Sequence, residues 1–291
     1  MPNTQPTTQV SSGFEFVKAL AAELSRGKIN LPSFPEVAIR VGQLLNDPNA
    51  HIDQIVRAVG SDPALAARLL LVSNTASFNR SGAHISDLRT AINRIGHTMV
   101  RTASMAFAMS QLRRAAKLDT LRARLAELWQ RSTEVAALSY VLAKMCSKVN
   151  PDEAMLAGMM HGIGKLYILT RAAQHPNLFT DHVTLDEILD QWHASIGRGI
   201  LENWEFAESM SSAIGEQDDL GFEEDTTEST LRDIIAVAIV MASYPGDIAG
   251  LELALHGAWS ATRLGLDQKR IQAVMQDCAL EVAALGEALG S

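Results

Sequence analysis

The feature of this sequence that most restricts its fold is a repeated signal for the start of a helix. Asp62 stands directly before Pro63, and Asn150 stands directly before Pro151. Asp and Asn side chains accept hydrogen bonds from the free N–H groups of a first helical turn, and proline suits the first helical position because it has no N–H group. Apolar residues then recur at helical spacing, as in "SDPALAARLLLVSN". These stretches therefore predict helices.

The remaining segments carry the same kind of pattern. Ser86 is a predicted N-cap, and Gly96 a predicted end, for the helix in "ISDLRTAINRIG", after which an apolar helix continues. Thr184 and Glu187 have the spacing of a capping box for the helix of "LDEILDQW". No segment alternates apolar and polar residues with enough β-branched residues to predict a strand. We therefore predict an all-α fold.

Composition argues against several classes of protein. The net charge of -8 disfavours non-specific binding of the whole chain to nucleic acid, because phosphates would be repelled. Charged residues interrupt every apolar stretch, so we predict no membrane helix. The two cysteines, Cys146 and Cys278, are far apart and suit a reducing compartment, and we expect a cytoplasmic protein. The initial "MPNTQPTTQVSSG" has no signal-peptide pattern, and we expect residues 1–28 to form a disordered or loosely packed extension.

The order of the predicted helices resembles that of a known family. "LPSFPEVAIRVGQLLNDP", "SDPALAARLLLVSNTASF" and "ISDLRTAINRIG" are followed by a Trp-containing helix and by "AGMMHGIGKL". In this order they resemble the HDOD family, bacterial signalling domains related to metal-dependent phosphohydrolases of the HD type. The resemblance implies an N-terminal helical lobe, expected at residues 29–118, packed on an HD-like helical lobe, expected at residues 119–291. It also implies a role in signal transduction.

The HD-type relatives hold one or two divalent cations with His and Asp side chains, which activate water for attack on phosphorus. The resemblance places the corresponding positions at Arg131, His161, Gly162, His193, Gln217, Asp218 and Ser243. Arginine carries a permanent positive charge that repels a cation, and glycine and serine do not replace imidazole or carboxylate ligands. A catalytic cation normally has about three protein ligands. We therefore expect a degenerate site that has no metal, no other cofactor and no catalytic activity.

Three functions are consistent with this pattern. The favoured one is a non-catalytic regulatory protein that binds a protein partner or a small ligand. The second is a residual phosphohydrolase that acts on a nucleotide or cyclic dinucleotide through His161, His193 and nearby carboxylates. The third is a nucleic-acid-binding regulator, because basic residues crowd the junction of the two expected lobes, at Arg113, Arg114, Lys117, Arg122, Arg124 and Arg131. The acidic total charge and the lack of interleaved aromatic residues argue against the third function.

Overall fold

The computed structural model of the chain describes residues 7–26, 35–75, 78–79, 82–115, 119–175, 178, 181–221 and 227–289. Its helices, in chain order, are α1 (Thr7–Ser25), α2 (Glu36–Asn46), α3 (Ile52–Gly60), α4 (Pro63–Ser73), α5 (Leu88–Ala115), α6 (Asp119–Cys146), α7 (Pro151–Met160), α8 (Ile163–Ala172), α9 (His182–Asn203), α10 (Glu208–Gly215), α11 (Leu231–Met241), α12 (Ile248–Leu255), α13 (Trp259–Arg263) and α14 (Gln268–Leu289). No described residue lies in a strand, which confirms the all-α prediction. None of the helices in these ranges combines the length and apolar character needed to cross a bilayer.

The predicted helix starts at the Asp-Pro and Asn-Pro pairs are confirmed. Asp62 Oδ1 accepts hydrogen bonds from the backbone N–H groups of Ala64, at 2.9 Å, and Leu65, at 3.1 Å. The side chain of Asn150 accepts from the N–H of Asp152 at 2.9 Å. In the long helix α5, Gly96 has φ 79° and ψ 164°, a conformation that glycine adopts without steric cost. This kink separates two helical segments where the sequence predicts one helix to end and another to follow.

Two other predicted helix starts are wrong by one to three residues. Helix α5 is capped by Asp87 and not by Ser86, because Asp87 Oδ1 accepts a hydrogen bond from the N–H of Thr90 at 2.8 Å. Helix α9 begins before Thr184, and the side chain of Asp181 accepts from the Thr184 N–H at 3.2 Å. Thr184 is therefore inside the helix. Its backbone N–H donates to the capping side chain of Asp181, and its own side chain does not cap the helix.

Three long helices organise the packing of the others. Helix α5 contacts α2, α3 and α4, while α6 contacts α7, α11 and α14. Helix α9 contacts α1, α8 and α10. Contacts of α5 with α6 and α7 join the first group of helices to the second, and the buried apolar residues form one continuous cluster from α1 to α14. The short junction between α7 and α8, formed by His161 and Gly162, is buried in this core.

The N-terminal segment is more ordered than the sequence suggests. Residues 7–25 form α1, and the side chains of Phe16 and Leu20 are buried in the common core. The hydroxyl of Tyr167 on α8 donates a hydrogen bond of 2.6 Å to Glu23, which also pairs with Arg171. Residues 7–25 of the expected extension thus form a helix, and its contacts with α8 and α9 include two buried apolar side chains and one carboxylate.

Candidate functional site

Arg131 connects the middle of α6 to the C-terminal end of α11. Its guanidinium donates hydrogen bonds to the carbonyl of Ile239 at 2.7 Å, to the carbonyl of Ala242, and to Ser243 Oγ at 2.6 Å. The carbonyl groups at a helix C-terminus carry partial negative charge, so a cation is stabilised there. Burial lowers the pKa of Arg131, and the neighbouring Glu134 opposes this effect. The structure thus brings the predicted positions Arg131 and Ser243 into direct contact.

His161 is a buried, neutral imidazole at the α7–α8 junction. Because a carbonyl oxygen only accepts, the 2.7 Å contact between His161 Nδ1 and the Gly158 carbonyl places the ring proton on Nδ1. Burial lowers the pKa of His161 to about 4, and the positive charges of Lys165 and Arg131 act in the same direction. The only lone pair that His161 can offer to another group is therefore on Nε2.

Gly162 is packed against α6 so closely that a larger side chain would displace its neighbours. A Cβ atom at this position would lie 2.7 Å from Leu128 Cδ1 and 3.3 Å from Ser132 Oγ. The space next to His161, where the resemblance implies an Asp carboxylate, is thus closed by the Leu128 side chain. The sequence did not predict Leu128 and Ser132 as site residues, although their spacing of four residues puts them on the same face of α6.

His193, on α9, is held between a carbonyl and a carboxylate. Its Nδ1 lies 2.7 Å from the carbonyl of Leu189, and its Nε2 lies 3.3 Å from Asp218 Oδ2. The hydrogen bond to His193 lowers the pKa of Asp218, against the opposing effect of burial. His193 is buried, whereas the side chain of Asp218 is half exposed. This pair joins α9 to the segment that follows α10.

Gln217 supports the backbone of His161 from the same segment. Its Nε2 donates to the His161 carbonyl at 3.2 Å, and the residue is only 1% exposed. Its Oε1 and the hydroxyl of Ser132 are buried without a hydrogen-bond partner among the described residues. The helices α7, α9 and the residues after α10 therefore converge on one small polar region, with His161 at its centre.

The side chains in this region do not fit a catalytic divalent cation. His161 has one free lone pair, while His193 directs one ring nitrogen to Leu189 and the other to Asp218. The guanidinium of Arg131 is near enough to lower the pKa of His161, and the same positive charge would repel a metal ion. Within the described ranges, no three His, Cys, Asp or Glu side chains are grouped so that they could bind a metal.

The predicted basic patch is only partly described. Arg124 donates a hydrogen bond of 2.7 Å to Asp186 on α9, and Arg131 is directed toward α11. Arg122 is exposed on α6. Arg113 and Arg114 belong to α5, but their side chains, like the whole of Lys117, lie outside the described residues. Arg124 and Arg131 thus have partners within the protein, which reduces the positive charge that they offer to phosphates.

The low pKa of His161 predicts a loss of stability in mild acid. The unfolded chain binds a proton near pH 6.5, whereas the folded chain does so only near pH 4, so stability falls as the pH decreases through this window. The shift corresponds to about 3 kcal/mol in the free energy of unfolding, at about 1.4 kcal/mol per pKa unit. Urea unfolding between pH 7 and pH 4 measures this loss.

His161→Asn is the matched control for this prediction. The Asn side chain keeps an N–H donor for the Gly158 carbonyl but has no titrating group. We expect the free energy of unfolding of this variant to change less with pH between 6.5 and 4 than that of the wild type. The prediction is contradicted if both proteins show the same pH dependence in this range.

Comparison with known proteins assigns the chain to a family. The family model described as "HDOD domain" matches residues 31–220. A candidate metal-dependent phosphohydrolase from Shewanella amazonensis SB2B is 26% identical, with a TM-score of 0.67 over 94% of this chain and 99% of that one. An HDOD domain protein of unknown function from Geobacter sulfurreducens is 22% identical, with a TM-score of 0.64 over 93% of this chain and 97% of that one.

Two further similar proteins are longer than this chain. A candidate signal transduction protein from Marinobacter aquaeolei VT8 is 21% identical, with a TM-score of 0.62 over 97% of this chain and 66% of its own. An uncharacterized protein from Treponema pallidum (strain Nichols) is 24% identical over 211 residues, 67% of this chain. The chain spans 39% of the length of that curated relative. Because the family model matches more than half of the residues, this chain belongs to the HDOD domain family.

Proposed function

We propose that this protein is a non-catalytic HDOD signalling module, which acts by binding a protein partner or a ligand and not by hydrolysing a phosphate ester. The observation that carries the proposal is the position of Arg131. Its guanidinium binds the carbonyls of Ile239 and Ala242 and the hydroxyl of Ser243, where the family resemblance implies metal ligands. A permanent cation fixed at this point opposes the binding of a second cation.

The packing around Gly162 supports the same proposal. Phosphoester hydrolysis by an HD-type site needs an anionic ligand beside the histidine, and here Leu128 occupies the space next to Gly162. The core around the site is nevertheless complete, since Leu128, His161 and Gln217 are all buried. This packing supports a binding module, because recognition of a partner depends on the shape of the scaffold and does not need a metal.

Exposed aromatic side chains between α1 and α9 support binding to a protein partner. Phe14 on α1 is 67% exposed and Trp192 on α9 is 40% exposed. Both border a cleft of about 480 Å³ between the two helices, and Trp192 also lines a second cleft of about 550 Å³. Large exposed aromatic residues are enriched at protein interfaces. We also propose a cytoplasmic location, which the free thiols of Cys146 and Cys278 support.

A residual phosphohydrolase is the second candidate function, and one observation favours it. His193 lies near enough to His161 and to Asp218 to lower the pKa of both groups. A divalent cation that used the free lone pair of His161 Nε2 would also have to break the contact between His193 Nε2 and Asp218. Nucleotides and cyclic dinucleotides are the substrate classes that this alternative implies.

Metal analysis combined with a hydrolysis assay separates the two functions. The full chain is purified without chelators, its content of transition metals is measured, and bis(p-nitrophenyl) phosphate is supplied with Mn²⁺ or Fe²⁺. We expect a substoichiometric metal content and no hydrolysis above that of the His161→Ala variant. A stoichiometric metal and a hydrolytic activity that both disappear in His161→Ala would contradict the proposal and support the second candidate.

A further inference from the structure

A cleft of about 710 Å³ lies between α6 and the C-terminal helix α14, away from the His161 region. Its buried floor is formed by Trp129, Thr133 and Cys278, and its walls include the partly buried Met275 and Val282. The volume is in the range of small-molecule sites in proteins. Most of the lining is apolar, so a ligand there would gain affinity by removing its own apolar surface from water.

Glu134 is the only charged residue among the described residues that line this cleft. Burial raises the pKa of its carboxyl group, and Arg131, one turn earlier on α6, partly opposes the shift. A second partly buried acid, Glu281, lies on α14. Burial raises the pKa of the Cys278 thiol to about 12, and the negative charges of Glu134 and Glu281 act in the same direction, so both carboxylates lie near this thiol. The lining of the cleft therefore combines an apolar surface with one partly buried carboxylate, and no lysine or arginine belongs to the described lining.

We propose that this cleft is a binding site for a small organic cation with an apolar body, such as an aromatic or aliphatic amine in its ammonium form. The ammonium group would pair with the carboxylate of Glu134, which is partly removed from water and gains from a positive neighbour. The apolar body would lie against Trp129, Met275 and Val282. A cation close to the Trp129 ring would also be attracted by its π electrons.

This site would give the proposed signalling module a ligand-dependent input, although the inference does not depend on the absence of catalysis. Glu134 attracts Arg131 along one turn of α6, and Arg131 holds the end of α11. A ligand cation that pairs with Glu134 would compete with this attraction. Binding in the cleft is thus coupled to the contact between α6 and α11 through one shared carboxylate.

Two probes of the same shape and opposite charge test the proposal on the full chain. Phenethylammonium carries an aromatic ring and a cation, and 3-phenylpropionate carries the same ring and an anion. Titrations followed by NMR are expected to show saturable binding of the cation and at least about tenfold weaker binding of the anion, a factor that corresponds to one well-formed charge contact. Thermal unfolding at each probe concentration gives an independent measure of binding.

Two substitutions locate the binding site. Glu134→Gln keeps the shape of the side chain and is expected to weaken phenethylammonium binding about tenfold or more. Glu127→Gln, on an exposed position of α6 outside the cleft, is the matched control and should leave binding unchanged. Ala279→Trp, on the exposed rim, should fill the cleft and abolish binding.

Several outcomes would overturn the proposal. They are the absence of saturable phenethylammonium binding, equal affinities for the two probes, and an unchanged affinity in folded Glu134→Gln or Ala279→Trp protein. If a variant does not fold, the comparison of the two probes with the wild type still decides the question. Failure here would leave the non-catalytic function unaffected, because metal content and hydrolysis are measured separately.

Discussion

Gly164→Ala is expected to prevent folding of the chain or to lower its free energy of unfolding by more than about 4 kcal/mol, as severe overpacking does. Gly164 is in the first turn of α8, where this helix crosses α9. A Cβ atom at this position would lie 1.9 Å from the carbonyl oxygen of His193 and 2.9 Å from the backbone nitrogen of Gly197. Both obstacles are backbone atoms, so no side-chain rotation can relieve the clash, and the two helices would have to separate.

Gly60→Ala is the matched control for this substitution. Gly60 is also helical, at the end of α3, but a Cβ atom there would meet nothing closer than Leu88 Cδ1, at 3.6 Å. We expect a change within about 1 kcal/mol, and in the stabilising direction, since alanine favours a helix over glycine. Urea unfolding followed by circular dichroism measures both variants. Equal stability of the two would mean that α8 and α9 do not approach as closely as described.

Asp233→Ala is expected to lower the free energy of unfolding by about 3–5 kcal/mol, because it removes the carboxylate from an ion pair that is buried on both sides. Asp233, in the first turn of α11, pairs with Arg263 on α13, and both side chains are almost inaccessible to solvent, at 0% and 5% exposure. Arg263 Nε donates to Asp233 Oδ2 at 2.9 Å. The same oxygen accepts the backbone N–H of Thr230 at 2.9 Å, so the substitution also removes a helix cap.

The ion pair between Lys148 and Glu228 is the control for the effect of burial. These side chains are 85% and 70% exposed, although their Nζ and Oε1 atoms are only 2.7 Å apart. Glu228→Ala should therefore change the free energy of unfolding much less than Asp233→Ala, because exposed ion pairs contribute little to stability. Urea unfolding at pH 7 gives both values. A loss of similar size in Asp233→Ala and Glu228→Ala would contradict the prediction.

The pH dependence of this effect has a defined sign. Burial alone would raise the pKa of Asp233, but hydrogen bonds from Arg263 and from the Thr230 backbone outweigh it, and the pKa is lowered. The stabilisation by the ionised carboxylate is therefore fully present above the ordinary value of 3.8 and is lost as the pH falls through the lower pKa of the folded state. The difference in stability between the wild type and Asp233→Ala should shrink in that acidic range.

Local sequence was sufficient for the helical class and for several exact helix boundaries. The side chains of Asp62 and Asn150 cap their helices by accepting hydrogen bonds from backbone N–H groups two or three residues later. Gly96 adopts a conformation that depends on its own lack of a side chain. Such interactions are complete within one turn, so the pattern of residues is enough to predict them. Where two neighbouring residues could both cap, as at Ser86 and Asp87, the sequence did not distinguish them.

The family resemblance also predicted which residues stand at the positions of the candidate site, and it identified Arg131, Gly162 and Ser243 as departures from a metal-ligand set. The sequence did not predict which groups these side chains contact. The partners of Arg131 lie more than 100 residues away along the chain, at Ile239 and Ala242. Leu128, which fills the space at Gly162, looked like any other core residue.

The tertiary structure alone decided which of these groups meet. The approach of Gly164 to the backbone of His193, the pairing of Asp233 with Arg263, and the contact of Arg131 with the end of α11 each join helices that are separate in sequence. A helix is specified by interactions within about four residues, whereas the angle and distance at which two helices cross depend on side chains packed from both. For this reason the sequence by itself determined the helices, and only the packed fold decided that Arg131 contacts the end of α11 and that His193 lies near His161.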